Sequence, residues 1–366
     1  MPFPERMDVR ALRPYAWALV LGLFVPVSWV ADLARAPGVA VFAFTGIGII
    51  PLAWFMGLAT EELGKHAGPG VGGLLNATFG NATELIIALF ALANGLHDVV
   101  KASLTGSIIG NILLVLGLSM FAGGLRHKSQ TFSREASGIQ TTMLLLAVIG
   151  LVMPDLYILS AEAQGSPVSP GLLRNLSLGI AGILLASYVL GLLFSLRTHR
   201  DIFNPISETV EEARWSVRTS LVVLLAATAL VAIESEILVG SLEEARSSLG
   251  LTELFVGVII VAIVGNAAEH GSAVIMAYRN KMDLSVAIAT TSTTQIALFV
   301  APFLLFASLL TTRVMTLDFE VFELASIALS TGVLAAVAAD GRSNWYEGVL
   351  LVMVYAIIGV AFFFHP

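Results

Sequence analysis

Residues 80–88 read GNATELIIA, and residues 265–273 read GNAAEHGSA. Gly, Asn, Ala, Glu and a later Ala recur at one offset of 185 residues (265 − 80 = 185). Each copy places one carboxylate, Glu84 or Glu269, inside a long apolar stretch. A carboxylate near the bilayer centre costs about 2.5–3.5 kcal/mol on insertion scales, which makes it a functional-site candidate. Two such residues at repeat-related positions predict one shared site between the repeats.

The composition indicates a polytopic membrane protein. Of the 366 residues, 57% are hydrophobic and 12% are charged, whereas soluble domains carry about 25% charged residues. The absence of cysteine excludes disulfides and thiolate metal ligands. No basic, aromatic-rich segment points to nucleic acid, so the lipid bilayer is the expected surrounding. The first apolar run lacks a small-residue cleavage site, and we predict that it is a retained span.

Apolar segments of about 17–25 residues are long enough to cross a bilayer. They predict an all-α protein with eleven transmembrane helices. The approximate limits of the predicted spans are Tyr15–Val30, Gly38–Ala59, Gly70–Asn94, Val99–Ala122, Ala136–Leu159, Leu172–Leu196, Val217–Ile237, Leu254–Tyr278, Leu284–Leu310, Phe319–Ala339 and Trp345–Phe364.

The basic residues predict the orientation, because cytoplasmic connections carry an excess of Lys and Arg. With the N-terminus inside, five of the 19 Lys and Arg residues fall outside, which leaves 14 inside (19 − 5 = 14). The five outside residues are Arg35, Lys101, Arg174, Arg246 and Arg313. We therefore expect a cytoplasmic N-terminus and an external C-terminus. The helices that carry Glu84 and Glu269 then cross the membrane in opposite directions.

This topology predicts a ten-helix core of two inverted five-helix repeats. Residues 1–36 form an extra N-terminal helix, 37–197 the first repeat, 198–216 an acidic cytoplasmic linker and 217–366 the second repeat. The offset of 185 also relates Ser107 to Ser292 in the following helices.

Four further acidic residues are candidates for a vestibule or a regulatory element. Glu208, Glu211 and Glu212 in the linker fit either a solvated helix face or an ion-concentrating, regulatory segment. Glu234 is predicted near an outer helix end, where a vestibule and a solvated surface are equally good interpretations.

Glu84 and Glu269 have no basic partner, since no Lys or Arg lies near the middle of a predicted span. An unpaired buried carboxylate is unfavourable, so each glutamate must carry a proton or share a metal ion. These two states exclude each other, and that exclusion is the logic of an antiporter.

The polar residues around the two glutamates suit a hard cation such as calcium, which takes six to eight oxygen ligands. The predicted metal ligands are Glu84, Glu269, Asn81 and Asn266. The predicted site-lining residues are Thr83, His270, Ser107, Ser292, Gln295, Gly80 and Gly265. The two glycines would let the helices loosen and turn backbone carbonyls towards the site. The serines and Gln295 fit equally well as hydrogen-bonding groups between helices, and His270 fits equally well as a packing residue.

The two stretches resemble the alpha-repeat signatures of the cation/proton exchangers, the calcium/proton branch of the calcium/cation antiporter superfamily. Further matching motifs are TEE at 60–62, GGL at 72–74, GSIIGN at 106–111, KMDL at 281–284 and QIALF at 295–299. The resemblance covers the chain from about Gly38 to its end.

The resemblance implies eleven spans, with the first helix outside the core, and alternating access that exchanges cytoplasmic calcium for external protons. The family's two essential glutamates fall on Glu84 and Glu269. Its neighbouring site positions fall on Asn81, Asn266, His270, Ser107, Ser292 and Gln295. Sodium/calcium exchangers carry an extra acidic residue in the helix after a repeat, where this chain has Gln295, and this difference favours protons over sodium.

The prediction is therefore a secondary antiporter and not an enzyme, with Ca²⁺ and H⁺ as transported substrates and no resident cofactor. Sodium coupling, a Mn²⁺-type exchanger and a cation channel remain alternatives. An intramembrane protease lacks support, because GNAAEH has no second histidine at HExxH spacing. The short soluble parts favour a prokaryotic plasma membrane, and assembly into a homo-oligomer is left open.

Overall fold

The computed structural model describes residues 16–203 and 213–365, and these are almost entirely helical. The helices are α1 (Ala16–Leu33), α2 (Gly38–Phe79), α3 (Ala82–Ala93), α4 (His97–Arg126), α5 (Arg134–Ala163), α6 (Pro170–Thr198), α7 (Arg200–Phe203), α8 (Val217–Leu249), α9 (Glu253–Gly265), α10 (Ala267–Tyr278), α11 (Met282–Ser308), α12 (Val321–Ala338) and α13 (Trp345–Phe364). Two-residue strands, β1 (Gln130–Thr131) and β2 (Arg342–Ser343), pair antiparallel and correct the all-α prediction in this detail. The predicted acidic residues Glu208, Glu211 and Glu212 lie outside the described residues.

Nine helical segments in the described part of the chain are long and apolar enough to cross a membrane. They are α1, the part of α2 from Gly38 to Gly68, α4, α5, α6, α8, α11, α12 and α13. Helices α9 and α10 meet at a bend of 60° and together form a tenth candidate. The predicted span Gly70–Asn94 is not one continuous helix. It is divided between the end of α2 and the short apolar helix α3, because the chain leaves helical geometry at Asn81.

Helix α2 reverses its direction at Gly68. This residue has φ 81° and ψ 168°, a conformation that glycine adopts far more readily than other residues. A Cβ atom built on Gly72 would lie 2.8 Å from the backbone oxygen of Gly64, eight residues earlier (72 − 64 = 8). Such closeness requires that residues 69–79 fold back along the preceding helix. The end of α2 and α3 therefore follow one another as two half-helices separated by the break at Asn81.

The same local structure recurs after the second signature. Helices α3 and α10 each have 12 residues, and their first and last residues keep the offset of 185 (267 − 82 and 278 − 93). The residue before each helix is a non-helical asparagine, Asn81 with φ −103° and ψ 28° and Asn266 with φ −91° and ψ 10°. The long helices that follow, α4 and α11, widen to π-helical turns at Gly110–Val115 and Ile296–Val300. Such turns are rare and occur frequently at functional sites.

Contacts between helix ends fall into two groups. In one group, Oε2 of Glu62 accepts hydrogen bonds from the backbone nitrogens of Arg214 at 2.6 Å and Trp215 at 2.9 Å, and β1 pairs with β2. In the other, the backbone nitrogen of Gly38 donates to Glu244 at 2.8 Å. The Lys101–Asp318 ion pair and the contact between His365 Nδ1 and Glu320 each span 3.8 Å. The first group joins connections predicted on the cytoplasmic side, and the second joins connections predicted outside.

Helices α4 and α9 cross so closely that Gly106 has no room for a side chain. A Cβ atom at this position would lie 1.9 Å from the backbone oxygen of Val258. We expect Gly106→Ala to destabilise the protein by about 1–3 kcal/mol, the usual cost of overpacking. Thermal unfolding of the detergent-solubilised protein measures this effect. Gly110→Ala is the matched control, because a Cβ at Gly110 meets nothing within 4 Å; equal midpoints for the two variants would contradict the prediction.

Candidate functional site

The two helix breaks determine where the signature glutamates lie. Glu84 is in the first turn of α3, and Glu269 is in the first turn of α10. The positive end of the helix dipole stabilises a negative group at this position. Each carboxylate is therefore held at the point where a half-helix begins inside the protein.

Glu84 and Glu269 are neighbours across the interface between the two half-helix pairs. A Cβ atom built on Gly265, at the second break, would lie 2.9 Å from Cγ of Glu84. The two carboxyl groups are close enough to interact electrostatically. Glu84 is 5% exposed and Glu269 is half-buried. The structure thus brings the two predicted ion-binding residues together.

The site contains several oxygen atoms that accept no hydrogen bond. Both carboxyl oxygens of Glu84, Oε2 of Glu269 and Oδ1 of Asn111 are buried and have no hydrogen-bond partner among the described residues. All four atoms are acceptors when the glutamates are ionised. Buried acceptors without donors are unfavourable, and hard cations are bound by carboxylate and amide oxygens of this kind. In the described ranges, no cluster of three or more His, Asp or Glu side chains is arranged for metal binding, so a bound ion would need further ligands from amides, the backbone or water.

A chain of side-chain hydrogen bonds connects both breaks with α4 and α11. Its members, in order, are Gln295, Asn81, Ser292, Asn111, Asn266 and Ser107. The five successive distances are 2.5, 2.7, 2.9, 3.0 and 2.8 Å. Tyr188 of α6 hydrogen-bonds with Gln295 at one end of this chain. All six members are buried. Their hydrogen bonds therefore fix the positions of the two breaks, α4 and α11 relative to one another.

Two hydrogen bonds of this chain are equivalent under the internal repeat. Ser292 donates to Oδ1 of Asn81 at 2.7 Å, and Nδ2 of Asn266 donates to Ser107 at 2.8 Å. The repeat offset of 185 relates Asn81 to Asn266 (81 + 185 = 266) and Ser107 to Ser292 (107 + 185 = 292), so the two pairs occupy corresponding positions. Each break is therefore tied to the long helix of the other half of the chain.

The amide oxygens of Asn81 and Asn266 accept hydrogen bonds from Ser292 and Asn111. In this conformation, the two amides connect helices. Their function as metal ligands stays a prediction.

Three other predicted lining residues have different surroundings. The hydroxyl of Thr83 faces the sulfur of Met56 at 4.0 Å and does not join the polar chain. The imidazole of His270 is half-buried and makes no hydrogen bond with a described residue. Gly80 lies beside the polar chain, because a Cβ there would be 3.6 Å from Oε1 of Gln295.

Glu234 is not where the sequence predicted it. Helix α8 continues to Leu249, so Glu234 lies near its middle. Its side chain is 0% exposed and hydrogen-bonds with Ser28 at 2.9 Å. Both the solvated-surface and the vestibule interpretations of Glu234 are therefore wrong.

Asn111 is one of the polar residues that the sequence offers to a hard cation, but the prediction did not include it among the metal ligands or the site-lining residues. Its Nδ2 donates both to Asn266 at 3.0 Å and to Ser292 at 2.9 Å, so it joins the two halves at the centre of the site. Asn111 has no counterpart in the repeat, because Ile296 occupies the equivalent position. The sequence feature that pointed to Asn111 was its position in the motif GSIIGN, within an otherwise apolar helix.

The space beside Gly265 provides a test of the site geometry. We expect Gly265→Ala to reduce ion transport at least tenfold, because the new methyl group would displace Glu84 from the second break. Initial rates of ion uptake in proteoliposomes measure the effect. Gly271→Ala in the following helix, α10, is the control, since a Cβ there meets nothing within 4 Å. Wild-type rates for Gly265→Ala would show that this contact is unimportant.

Duplicated half-helices that meet at buried carboxylates define a membrane transporter built from repeats. The sequence model of the family described as "Sodium/calcium exchanger protein" matches residues 37–197 and 219–364. The chain belongs to this family.

Individual relatives are similar over nearly their whole length. A Ca(2+)/H(+) antiporter of Aphanothece halophytica is 46% identical over 360 residues, covering 94% of this chain and 95% of that protein. The Ca(2+)/H(+) antiporter ChaA of Bacillus subtilis (strain 168) is 46% identical over 344 residues, covering 93% and 96%. The solved structure of native YfkE matches with a TM-score of 0.83 and 41% identity, covering 95% of this chain and 100% of that chain.

Proposed function

We propose that the protein is a secondary antiporter that exports cytosolic Ca²⁺ in exchange for protons by alternating access. The observation that carries this proposal is the set of unpartnered buried acceptor oxygens on Glu84, Glu269 and Asn111. Such a set binds a cation when the carboxyl groups are ionised, and it loses the cation when protons neutralise them. The printed names of the bacterial relatives support Ca²⁺ and H⁺ as the two substrates.

In the proposed cycle, Glu84 and Glu269 are ionised while the site is open to the cytoplasm, and they bind one Ca²⁺ together with nearby carbonyl oxygens or water. Asn81 and Asn266 add amide oxygens to the ion when their hydrogen bonds rearrange. After the cavity opens outward, external protons neutralise both carboxylates and release the ion. Before the ion binds, the hydrogen-bonded chain from Gln295 to Ser107 holds the two breaks against α4 and α11.

The proposed architecture is eleven membrane-crossing segments, with two inverted halves, 37–197 and 217–366, following an extra helix at residues 1–36. Three observations support it: the family matches two separate segments, the local structures of α3 and α10 are equivalent, and the helix-end contacts form two groups. In this arrangement, the N-terminus is cytoplasmic and the C-terminus is external. The bacterial relatives support a prokaryotic plasma membrane.

Uptake of radioactive calcium into proteoliposomes tests the proposal. With an acidic lumen and no calcium gradient, we expect calcium to accumulate inside as protons leave. A protonophore is expected to abolish the accumulation, since it dissipates the driving gradient. Replacing the pH gradient by a sodium gradient is the control, and no accumulation is expected in that arm.

The control arms separate the proposal from its alternatives. Uptake that follows sodium and ignores pH would identify a sodium-coupled exchanger. Uptake of Mn²⁺ that calcium does not inhibit would identify a different substrate. Flux that only equilibrates the ion, without uphill accumulation, would identify a channel.

A further inference from the structure

Another buried carboxyl group lies outside the hydrogen-bonded chain of the candidate site. Glu234 is near the middle of α8, and Ser28 is on α1; both side chains are 0% exposed. The glutamate faces α2 at Gly48, where a built Cβ would lie 3.5 Å from its Oε2. The contact therefore joins the first helix to α8 at a point beside the backbone of α2.

The distances around Ser28 indicate where a proton is needed. Oγ of Ser28 lies 2.7 Å from the backbone oxygen of Val25 and 2.9 Å from each carboxyl oxygen of Glu234. A serine hydroxyl has one proton, whereas Val25 offers only an acceptor. If Ser28 donates to Val25, a second proton is needed between Ser28 and Glu234, and a carboxylic acid supplies it. The two protons then form one sequence of donors, from Glu234 to Ser28 to Val25, and the indole of Trp29 lies beside the same carboxyl group.

Within residues 16–203 and 213–365, no positive charge is paired with Glu234. On α1 the charged residue is Asp32, which is exposed. The facing part of α2, residues 38–59, contains no charged residue or histidine. Helix α8 also carries Glu236, which is exposed, and its remaining charged residues lie towards its ends: Arg218, Glu243, Glu244 and Arg246. On α3 the acid is Glu84, which faces Gly265. An isolated charge at this depth is unfavourable, so these surroundings favour the neutral acid.

We propose that Glu234 is a third proton-binding carboxyl group, held as the neutral acid, which fastens the first helix to α8 by donating a hydrogen bond to Ser28. Its proton is not transported, because its hydrogen bonds go to Ser28 on the first helix and not to the transport site. The first helix then moves together with α8 and α2, which pack along each other.

Infrared spectroscopy of the reconstituted protein tests this assignment directly. The background is the double variant Glu84→Gln/Glu269→Gln, which removes the transport carboxyls. At neutral pH, we expect a carboxylic-acid C=O band that is lost on adding Glu234→Gln and retained on adding the control Glu236→Gln. Ser28→Ala is expected to keep the band but shift its frequency, because the acid loses its acceptor.

Three results would overturn the proposal. An unchanged acid band in Glu234→Gln would show that the group is ionised. An unchanged frequency in Ser28→Ala would show that the hydrogen bond to Ser28 is absent, and this comparison decides the matter even if Glu234→Gln does not fold. A changed H⁺:Ca²⁺ ratio or a new voltage dependence of uptake in Glu234→Gln would show that the proton is transported.

Discussion

Glu84→Gln and Glu269→Gln are each expected to reduce proton-driven calcium uptake to the level of empty liposomes. Glutamine keeps the size and the carbonyl oxygen of glutamate, but it has no negative charge and cannot exchange a proton. Removing one partner of a buried ionic interaction costs about 3–5 kcal/mol, which corresponds to a loss in ion affinity of roughly 100-fold or more. The same substitution also removes one of the two proton-binding groups, so binding and coupling fail together.

Two controls make the result specific to the site. Glu236→Gln changes an exposed carboxyl group on another helix and is expected to transport normally. Asn111→Ala removes the side chain that joins the two halves and is expected to lower the rate without abolishing pH coupling. Residual uphill uptake in either single glutamine variant would show that the ion is bound elsewhere.

Calcium affinity is expected to rise with pH, because protons and calcium compete for the same two carboxyl groups. When both carboxyls must lose a proton, one pH unit changes the binding free energy by about 2.7 kcal/mol, or about 100-fold in affinity. The direction follows from the competition: alkaline solution removes protons and strengthens calcium binding, and acidic solution weakens it. Above the pH at which both carboxyls are ionised, the affinity is expected to become constant.

Calorimetric titration of the purified protein at a series of pH values measures this dependence. In variants with one glutamine, any residual binding is expected to change only about 10-fold per pH unit, because one proton remains in competition. Wild-type affinity that does not vary with pH would contradict direct competition at the Glu84–Glu269 pair.

The pair of glutamates could be predicted from the sequence because the physical signal is local. A carboxylate near the middle of a long apolar segment is costly, because it lies near the bilayer centre. Its recurrence with the same Gly-Asn-Ala neighbours reveals the duplication. The candidate residues Asn81, Asn266, Ser107, Ser292 and Gln295 followed from the same offset and from the family resemblance, and the structure brings all five into one hydrogen-bonded chain.

Other features depend on which helices pack together. Hydropathy alone predicted a continuous span at Gly70–Asn94. Hydropathy averaged over some twenty residues stays high, so it does not detect a helix break at the single residue Asn81. Thr83 belongs to the signature, yet its position on α3 turns its hydroxyl to Met56. The sequence prediction misplaced Glu234 for two reasons. It ended α8 at Ile237, about one-third of the helix length before the actual end at Leu249. The hydrogen-bond partner of Glu234, Ser28, lies on the first helix.

The sequence by itself determined that this protein is a membrane-embedded transporter with two repeat-related carboxylates, because the cost of burying charge and the periodicity of apolar segments are local properties of the chain. Only the tertiary structure decided the reversal at Gly68, the central place of Asn111 and the contact between Glu234 and Ser28. The last two depend on partners 155 and 206 residues apart in the chain. Such contacts arise from the packing of helices against one another, and no single stretch of sequence contains the information that specifies them.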